Sequence, residues 1–118
     1  MTAITTVDPF AASRRDGLRL STEWLSASVV RISIHGDIDA SNSAEVLDYV
    51  FRRGANCRSM ILDLKDVTFL ATAGFSALQT IDMQCTRASV SWMLIPSRAV
   101  SRVLSVCDPR RVLPCEPT

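Results

Sequence analysis

Apolar and polar residues alternate along two early segments of the chain, residues 18–25 and 29–35. In the second segment one set of alternating positions is apolar and the other is polar: Val30, Ile32 and Ile34 against Arg31, Ser33 and His35. A period of two residues is typical of a β-strand with one buried face. The pattern therefore predicts two strands, joined by a hairpin turn at residues 26–28.

Three later segments repeat apolar residues at helical spacing. We expect the first helix to begin at Asn42, with Glu45 completing a capping box, and to end at Gly54 in a left-handed conformation. The second helix should begin near Ala73. The third should follow a cap at Ser97, and its apolar residues recur at positions i, i+3, i+4 and i+7.

Apolar runs between and after these helices predict the remaining strands. Residues 60–64 are almost continuously apolar, as in a central strand covered on both faces, and residues 90–95 form another run. Residues 112–113 suit a short edge strand. Right-handed crossovers between parallel strands are then required. The element order predicts an α/β fold, a mixed β-sheet of four to five strands with helices packed mainly on one face.

The length of 118 residues suits a single domain. We interpret residues 1–16 as a flexible N-terminal leader, residues 17–114 as the folded domain and residues 115–118 as a C-terminal tail. No apolar run could span a bilayer, and the N-terminus lacks the apolar block of a signal peptide, so we expect a cytoplasmic protein. The net charge of +1 and the scattered arginines disfavour binding to nucleic acid or to acidic membranes.

Candidate catalytic and metal-binding groups are sparse. The four cysteines (Cys57, Cys85, Cys107 and Cys115) include no Cys-x-x-Cys pair, and His35 is the only histidine, so we expect no metal site. We expect reduced thiols, while a redox pair of Cys107 with Cys115 stays open. The sequence shows neither a nucleophile beside a base nor a glycine-rich phosphate loop. We therefore expect no enzymatic activity and no cofactor.

The most informative segment, residues 65–75, leaves the central strand and enters the second helix. Thr72 is a natural N-cap there, since its hydroxyl can accept a hydrogen bond from the N–H of Gly74 or Phe75. The small residues Ala71 and Ala73 leave that hydroxyl open. One interpretation is that Thr72 is only a helix cap. The other is a phosphorylation site, where the phosphate would sit at the positive end of a helix.

Two carboxylates lie in a second polar loop, residues 36–41, between the second strand and the first helix. In the predicted topology this loop leaves the sheet at the same end as the Thr72 loop. Asp39 is then placed to orient the Thr72 hydroxyl or to face a cation of a partner. Alternatively, Asp37 and Asp39 are solvated turn residues that favour the start of the helix.

Four motifs follow one another along the chain: Gly36-Asp37-Ile38-Asp39, Asp63-Leu64-Lys65-Asp66-Val67-Thr68-Phe69, Ala71-Thr72-Ala73-Gly74 and Pro96-Ser97-Arg98-Ala99-Val100. In order and spacing, from about Val29 to Cys107, they resemble the STAS domains of bacterial anti-sigma factor antagonists. The resemblance implies a protein that binds an anti-sigma factor of the serine/threonine kinase type, frees a sigma factor and is released when Thr72 is phosphorylated. It implies a partner-binding surface formed by these residues: Asp37, Asp39, Ala71, Thr72, Ala73, Gly74 and Phe75.

The chain departs from that family in two ways. Ala71 replaces the usual loop aspartate and Ala73 the usual second serine, and the last amphipathic helix of many members is missing. Weak nucleotide binding, known for some relatives, is left open, and we expect a monomer or a weak dimer. The Thr72-Ala73-Gly74 triplet also suits an alternative function, a STAS accessory subunit of an ABC-type lipid transport system that contacts its ATPase through the same loop.

Overall fold

The computed structural model describes residues 4–7 and 17–116. Its strands are β1 (Ile4–Val7), β2 (Arg19–Trp24), β3 (Val29–Ile38), β4 (Ser59–Leu70) and β5 (Ser91–Ile95). Its helices are α1 (Ser43–Arg53), α2 (Thr72–Arg87) and α3 (Arg98–Cys107). None of these helices is both long enough and apolar enough to cross a membrane, within the residues described.

The five strands form one sheet in the order β1-β2-β3-β4-β5. The pairs β1 with β2 and β2 with β3 are antiparallel, whereas β3 with β4 and β4 with β5 are parallel. Since parallel strands are joined by right-handed crossovers, α1 and α2 cover the same face of the sheet. The predicted mixed α/β fold is confirmed. Strand β1 was not predicted and lies inside the segment interpreted as a leader; residues 8–16 are outside the described part of the chain.

The predicted alternation in β3 is confirmed, because one set of its side chains points into the core and the other to the open face. The core positions Val30, Ile32 and Ile34 are almost completely buried. Central strand β4 supplies Leu62 and Leu64, which are also fully buried. Helix α2 buries the predicted residues Ala77, Leu78, Ile81 and Cys85 against this layer. Ser97 caps α3 as predicted, its hydroxyl oxygen accepting a hydrogen bond from the Val100 N–H at 3.1 Å.

The predicted positions of the two ends of α1 are confirmed, with Asn42 as N-cap and Gly54 as C-cap, but the predicted cap bond of Asn42 and the conformation of Gly54 are wrong. The Asn42 side chain does not cap the helix; its Oδ1 accepts from the Asp39 N–H at 2.9 Å and its Nδ2 donates to the Asp37 carbonyl at 2.8 Å. Gly54 has φ −87°, so it is not left-handed. The left-handed residue is Asn56, at φ 68°. Asn42 therefore holds the preceding loop, and the chain reverses two residues later than expected.

The C-terminal segment pairs with β5, but not at residues 112–113 as predicted. The bridge joins Leu94 to Cys115, with backbone hydrogen bonds from Leu94 to Pro114 and from Glu116 to Leu94. It therefore reaches beyond residue 114, where we had placed the end of the domain. Leu113 is buried.

An ion pair with a buried carboxylate lies on the face of the sheet opposite the core positions of β3. The Asp63 carboxylate is 3% exposed and binds the Arg31 guanidinium, while Lys65 Nζ lies 3.6 Å away. Burial alone would raise the pKa of Asp63, but the hydrogen bonds from Arg31 and the Lys65 backbone N–H, with the attraction of both cations, lower it below its ordinary value. Asp63 is therefore ionised at neutral pH.

We expect Arg31→Met to destabilise the domain by about 2 kcal/mol at pH 7, because among the described residues it leaves the buried Asp63 carboxylate with Lys65 Nζ, 3.6 Å away, as its one remaining cation. Since the folded-state pKa of Asp63 is depressed, the pair stabilises the fold above the unfolded value, about pH 4, and this contribution is lost as the pH falls through the folded value. The difference in unfolding free energy between variant and wild type, measured by urea denaturation, should stay constant from pH 7 to about pH 5 and narrow as the pH falls below about 4.

The matched control is Arg52→Met, which removes an exposed pair with Asp48 (3.2 Å) and should change stability by less than about 0.5 kcal/mol. A difference for Arg31→Met that does not narrow below about pH 4 would contradict this account of Asp63.

Gly36 lies where β3 passes close to the start of β2. Its φ is +103°, and a Cβ at this position would lie 2.9 Å from the Gly17 carbonyl oxygen. Gly17 also has a positive φ, +79°, but a Cβ there would have no neighbour within 4 Å. Alanine substitutions at the two glycines therefore distinguish the cost of backbone strain from the cost of a steric clash.

We expect Gly36→Ala to lower the free energy of unfolding by about 2–3 kcal/mol and Gly17→Ala by about 1 kcal/mol. Both substitutions place a Cβ on a residue with positive φ, which costs free energy. Only Gly36→Ala also forces two backbone segments apart. Chemical denaturation of the two proteins measures the difference, and equal losses would contradict the proposed conflict.

Candidate functional site

The carboxyl ends of β3 and β4 lie side by side and carry the two polar loops. Asp37 is the register partner of Phe69 and Ile38 that of Leu70. The backbone N–H of Ala71 then donates to the Ile38 carbonyl at 2.9 Å, so the pairing continues to the start of α2. The predicted placement of both loops at one end of the sheet is confirmed.

Both strands are longer than predicted because they extend through segments that we interpreted as loops. The register of β3 against β4 shifts twice, between Ser33 and His35 and between Gly36 and Asp37. At each shift β4 advances by one more residue than β3 does, as in a β-bulge. The bulges turn the strand ends and set which side chains of residues 64–70 face solvent.

Thr72 is the first residue of α2 and not its cap. The N-cap position belongs to Ala71, whose carbonyl accepts hydrogen bonds from the N–H groups of Gly74 and Phe75 at 2.9 and 3.1 Å. The predicted capping bond is therefore wrong. The Thr72 side chain is exposed, and its hydroxyl has no hydrogen-bond partner among the residues the structure describes.

Asp39 does not orient the Thr72 hydroxyl. Its Oδ1 accepts hydrogen bonds from the Ser41 N–H at 2.9 Å and the Ser41 hydroxyl at 2.6 Å. The hydroxyl of Ser41 lowers the pKa of the Asp39 carboxyl, helped by the backbone N–H groups of Ser41 and Asn42 and opposed by desolvation. These contacts fit the alternative interpretation, an ionised turn residue at the start of α1.

Asp37 is bound to a residue that the sequence analysis did not select. The Thr68 hydroxyl of β4 donates to Asp37 Oδ1 at 2.6 Å, which ties the two strand ends together on the exposed side. Two carboxylates, Asp37 near the end of β3 and Asp39 in the loop after it, thus lie at the same end of the sheet as the start of α2. Each has a local hydroxyl donor, and neither is bonded to Thr72.

Two residues of the predicted partner-binding set are buried. A Cβ at Gly74 would collide with the Leu70 side chain and lie 3.0 Å from Ile38 Cγ2, so this glycine lets α2 pack on the strand ends. Phe75 is 9% exposed and belongs to the core. The remaining five residues reach the surface at least in part: Asp37, Asp39, Ala71, Thr72 and Ala73.

Phe69 is an exposed aromatic residue three positions before Thr72. Its exposed fraction is 51%, whereas that of Leu70 is 3%. Successive residues of a strand face opposite sides of the sheet. Extending β4 through residue 70 would therefore have identified Phe69 as exposed. We call the surface formed by Phe69, Ala71, Thr72, Ala73, Asp37 and Asp39 the Thr72 face.

The described residues include no group of three or more histidine, cysteine, aspartate or glutamate side chains placed to hold a metal ion. The four cysteines are free thiols: Cys57 and Cys85 are buried, and Cys107 and Cys115 are exposed. The redox pair of Cys107 with Cys115 is therefore not formed in this structure.

Comparisons with known proteins agree with this architecture. Osmosensory protein A of Mycobacterium tuberculosis is 36% identical over 78 residues, which cover 65% of this chain and 49% of that protein. The chain thus spans about half the length of this relative.

Two solved structures share the fold. An anti-sigma factor antagonist from Mycobacterium paratuberculosis superposes with a TM-score of 0.77 at 19% identity, over 91% of this chain and 92% of that one. The anti-sigma factor antagonist SpoIIAA in its unphosphorylated form gives 0.67 at 13% identity, over 83% and 88%. The family model of the STAS domain matches residues 26–118, and with this match over most of its length the chain belongs to the STAS domain family.

Proposed function

We propose that this STAS domain is an anti-sigma factor antagonist. It binds an anti-sigma factor of the serine/threonine kinase type through the Thr72 face, which frees a sigma factor, and it is released when Thr72 is phosphorylated. The observation that carries the proposal is the exposed, unbonded hydroxyl of Thr72 at the first position of α2. The structural likeness to proteins described as anti-sigma factor antagonists supports it.

A phosphate on Thr72 would meet the positive end of α2, where the first N–H groups of a helix lack acceptors in the preceding turn. It would add about −1.5 to −2 charges. Asp37, near the end of β3, and Asp39, in the loop after it, lie at the same end of the sheet, so the modified face would carry three anionic groups. A partner surface that packs on Phe69 and the two alanines would then be repelled.

Ala71 supplies no carboxylate to assist the transfer of a phosphoryl group. Its backbone N–H donates to the Ile38 carbonyl, and its carbonyl accepts hydrogen bonds from the first N–H groups of α2. The base that accepts the Thr72 proton must therefore come from the kinase, as is usual for protein kinases. In this proposal the domain provides an accessible hydroxyl and a docking surface, and the partner provides the catalysis.

We further propose that the domain acts by binding and not as an enzyme. Its single histidine, His35, has Nδ1 3.4 Å from Asp66 Oδ2 on the open face of the sheet. Neither side chain is hydrogen-bonded to a serine, threonine or cysteine in the described residues. A nucleophile paired with a base, the usual requirement for covalent catalysis, is therefore not assembled there.

Thr72→Glu should weaken the complex with the anti-sigma factor by at least about tenfold, whereas Thr72→Ala should retain it, because only the first places negative charge in the interface. Immobilised wild-type protein captures partners from extract of the native cells, mass spectrometry identifies them, and calorimetry with the purified partner gives the affinities. Incubation with ATP should label wild type and leave Thr72→Ala unlabelled.

Thr86→Glu is the matched control for added charge, since Thr86 is exposed at the other end of α2, away from the Thr72 face. Equal affinity of Thr72→Glu and wild type would overturn the switch. Capture of an ABC-type ATPase in place of an anti-sigma factor would overturn the function and favour the transport alternative.

Phe69→Ala should also weaken binding by about tenfold, because exposed aromatic residues near the centre of an interface often dominate its energy. Phe51→Ala removes a phenyl ring of similar exposure, 38%, from α1 and serves as the control that should bind normally. Both variants should keep the wild-type circular dichroism spectrum. If the two substitutions have the same effect on affinity, Phe69 is not part of the interface.

A further inference from the structure

A cavity of about 450 Å3 lies between the carboxyl ends of α1 and α2, beside the beginning of β4. The Thr72 face lies at the other end of β4 and α2. The described residues that line the cavity include no aspartate, glutamate, histidine, lysine or arginine. Three of them carry a sulfur atom, Cys57, Met60 and Cys85, and we call this feature the sulfur cavity.

The three sulfur-containing residues come from separate elements of the chain. Cys57 lies in the turn between α1 and β4, Met60 lies in β4, and Cys85 lies in the last turn of α2. Their exposed fractions are 8%, 3% and 7%, and both thiols are free. A single buried thiol or thioether is an ordinary packing group. The feature to be explained is that three of them line one cavity.

Gly54 brings Met60 and Cys57 together on one side of the cavity. The Cys57 N–H donates to the Gly54 carbonyl at 3.3 Å. A Cβ at Gly54 would lie 3.4 Å from Met60 Sδ. The thioether sulfur therefore lies against the turn that carries Cys57.

The segment that joins α2 to β5 holds Cys85 close to the same turn. The Val90 N–H donates to the Cys85 carbonyl at 2.8 Å. The next N–H, that of Ser91, donates to the Arg58 carbonyl at 3.0 Å. Since Arg58 follows Cys57 directly, two backbone hydrogen bonds connect the last turn of α2 to the residue after Cys57.

The two thiols are close enough for a charge on one to act on the other. Burial raises the pKa of Cys57 above its ordinary value. Burial also raises the pKa of Cys85, and the charges of Cys57 and Asp82 raise it further, to about 11. Both thiols are therefore protonated and neutral at pH 7, so the cavity presents three uncharged sulfur groups.

We propose that the sulfur cavity binds a Cu(I) ion through the sulfur atoms of Cys57, Met60 and Cys85. Thiolate and thioether ligands select soft metal ions such as Cu(I). Zn(II) fits less well, because structural zinc sites use four ligands and no histidine or carboxylate of the described residues lines the cavity. The carboxyl ends of α1 and α2 also favour a cation over an anion.

Binding exchanges one proton for the metal ion. The S–H bond of Cys57 breaks, its sulfur forms a bond to Cu(I), and the proton passes to solvent. Cys57 loses its proton in preference to Cys85, since Asp82 disfavours a thiolate at Cys85. Met60 and Cys85 donate sulfur lone pairs and add no charge. One monovalent ion in place of one proton leaves the cavity neutral, which avoids burying a net charge.

This site is independent of the proposed function, because none of its three ligands belongs to the Thr72 face. It also differs from a cluster of histidine, cysteine, aspartate or glutamate side chains, of which the described residues contain no group of three. Here the third ligand is a thioether, and the fold brings it beside two thiols that are distant in sequence.

The test supplies Cu(I) without oxygen as its coloured bicinchoninate complex, and the fall in absorbance measures transfer of the ion to the full-length protein. The protein carries Cys107→Ser/Cys115→Ser, which removes the two exposed thiols. We expect one tightly bound ion per chain and a higher melting temperature with the ion bound. Affinity should rise about tenfold per pH unit from pH 6 to pH 8, because one proton is released.

Substitution of the ligands in that protein should weaken Cu(I) binding. We expect a loss of more than about tenfold for Cys57→Ala and Cys85→Ala, and of about tenfold for Met60→Leu, which nearly keeps the side-chain volume. Met93→Leu is the matched control, since it removes a thioether that is 39% exposed and outside the cavity. Circular dichroism of each variant excludes loss of folding as the cause of weak binding.

The proposal is overturned if the protein takes no Cu(I) from bicinchoninate, if Met60→Leu binds Cu(I) as tightly as Met93→Leu, or if Zn(II) binds as tightly as Cu(I). Affinity that does not change with pH would also overturn it. Indole, a neutral apolar probe, tests for an organic ligand in the same space. If indole shifts the amide signals of Cys57 and Cys85 in nuclear magnetic resonance spectra and Cu(I) does not, the cavity is not a metal site.

Discussion

The parallel pairing of β3 with β4 is the constraint on which the rest of the structure depends. It continues past the end of β5, through Ile38 and Leu70, and finishes with the hydrogen bond from Ala71 to Ile38. The loop before α1 and the first residue of α2 are therefore held together by backbone contacts at one edge. Because these contacts do not depend on side-chain identity, Ala71 can replace a polar residue without altering the placement of Thr72.

Packing in the interior determines which side chains near the start of α2 are exposed on the Thr72 face. Gly74 brings α2 close to Leu70 and Ile38, and Phe75 fills the core, so the helix begins directly at the surface. Thr72 at the first helical position is consequently exposed, with the N–H groups of the first turn beside it. A phosphoryl group on this hydroxyl would meet the positive end of the helix dipole.

The sequence by itself determined the order of the elements from β2 to α3, the buried face of β3, the core side of α2 and the neighbourhood of Thr72 with Asp37 and Asp39. These features follow from local periodicity and from the direction of parallel crossovers, both of which the chain carries within short segments. Only the tertiary structure decided the extension of β3 and β4 through the predicted loops, the exposure of Phe69, the internal role of Asn42 and the pairing of Cys115 with Leu94. Each depends on the register between segments distant in sequence, and a bulge or a backbone hydrogen bond to another strand leaves no periodic signal in its own residues.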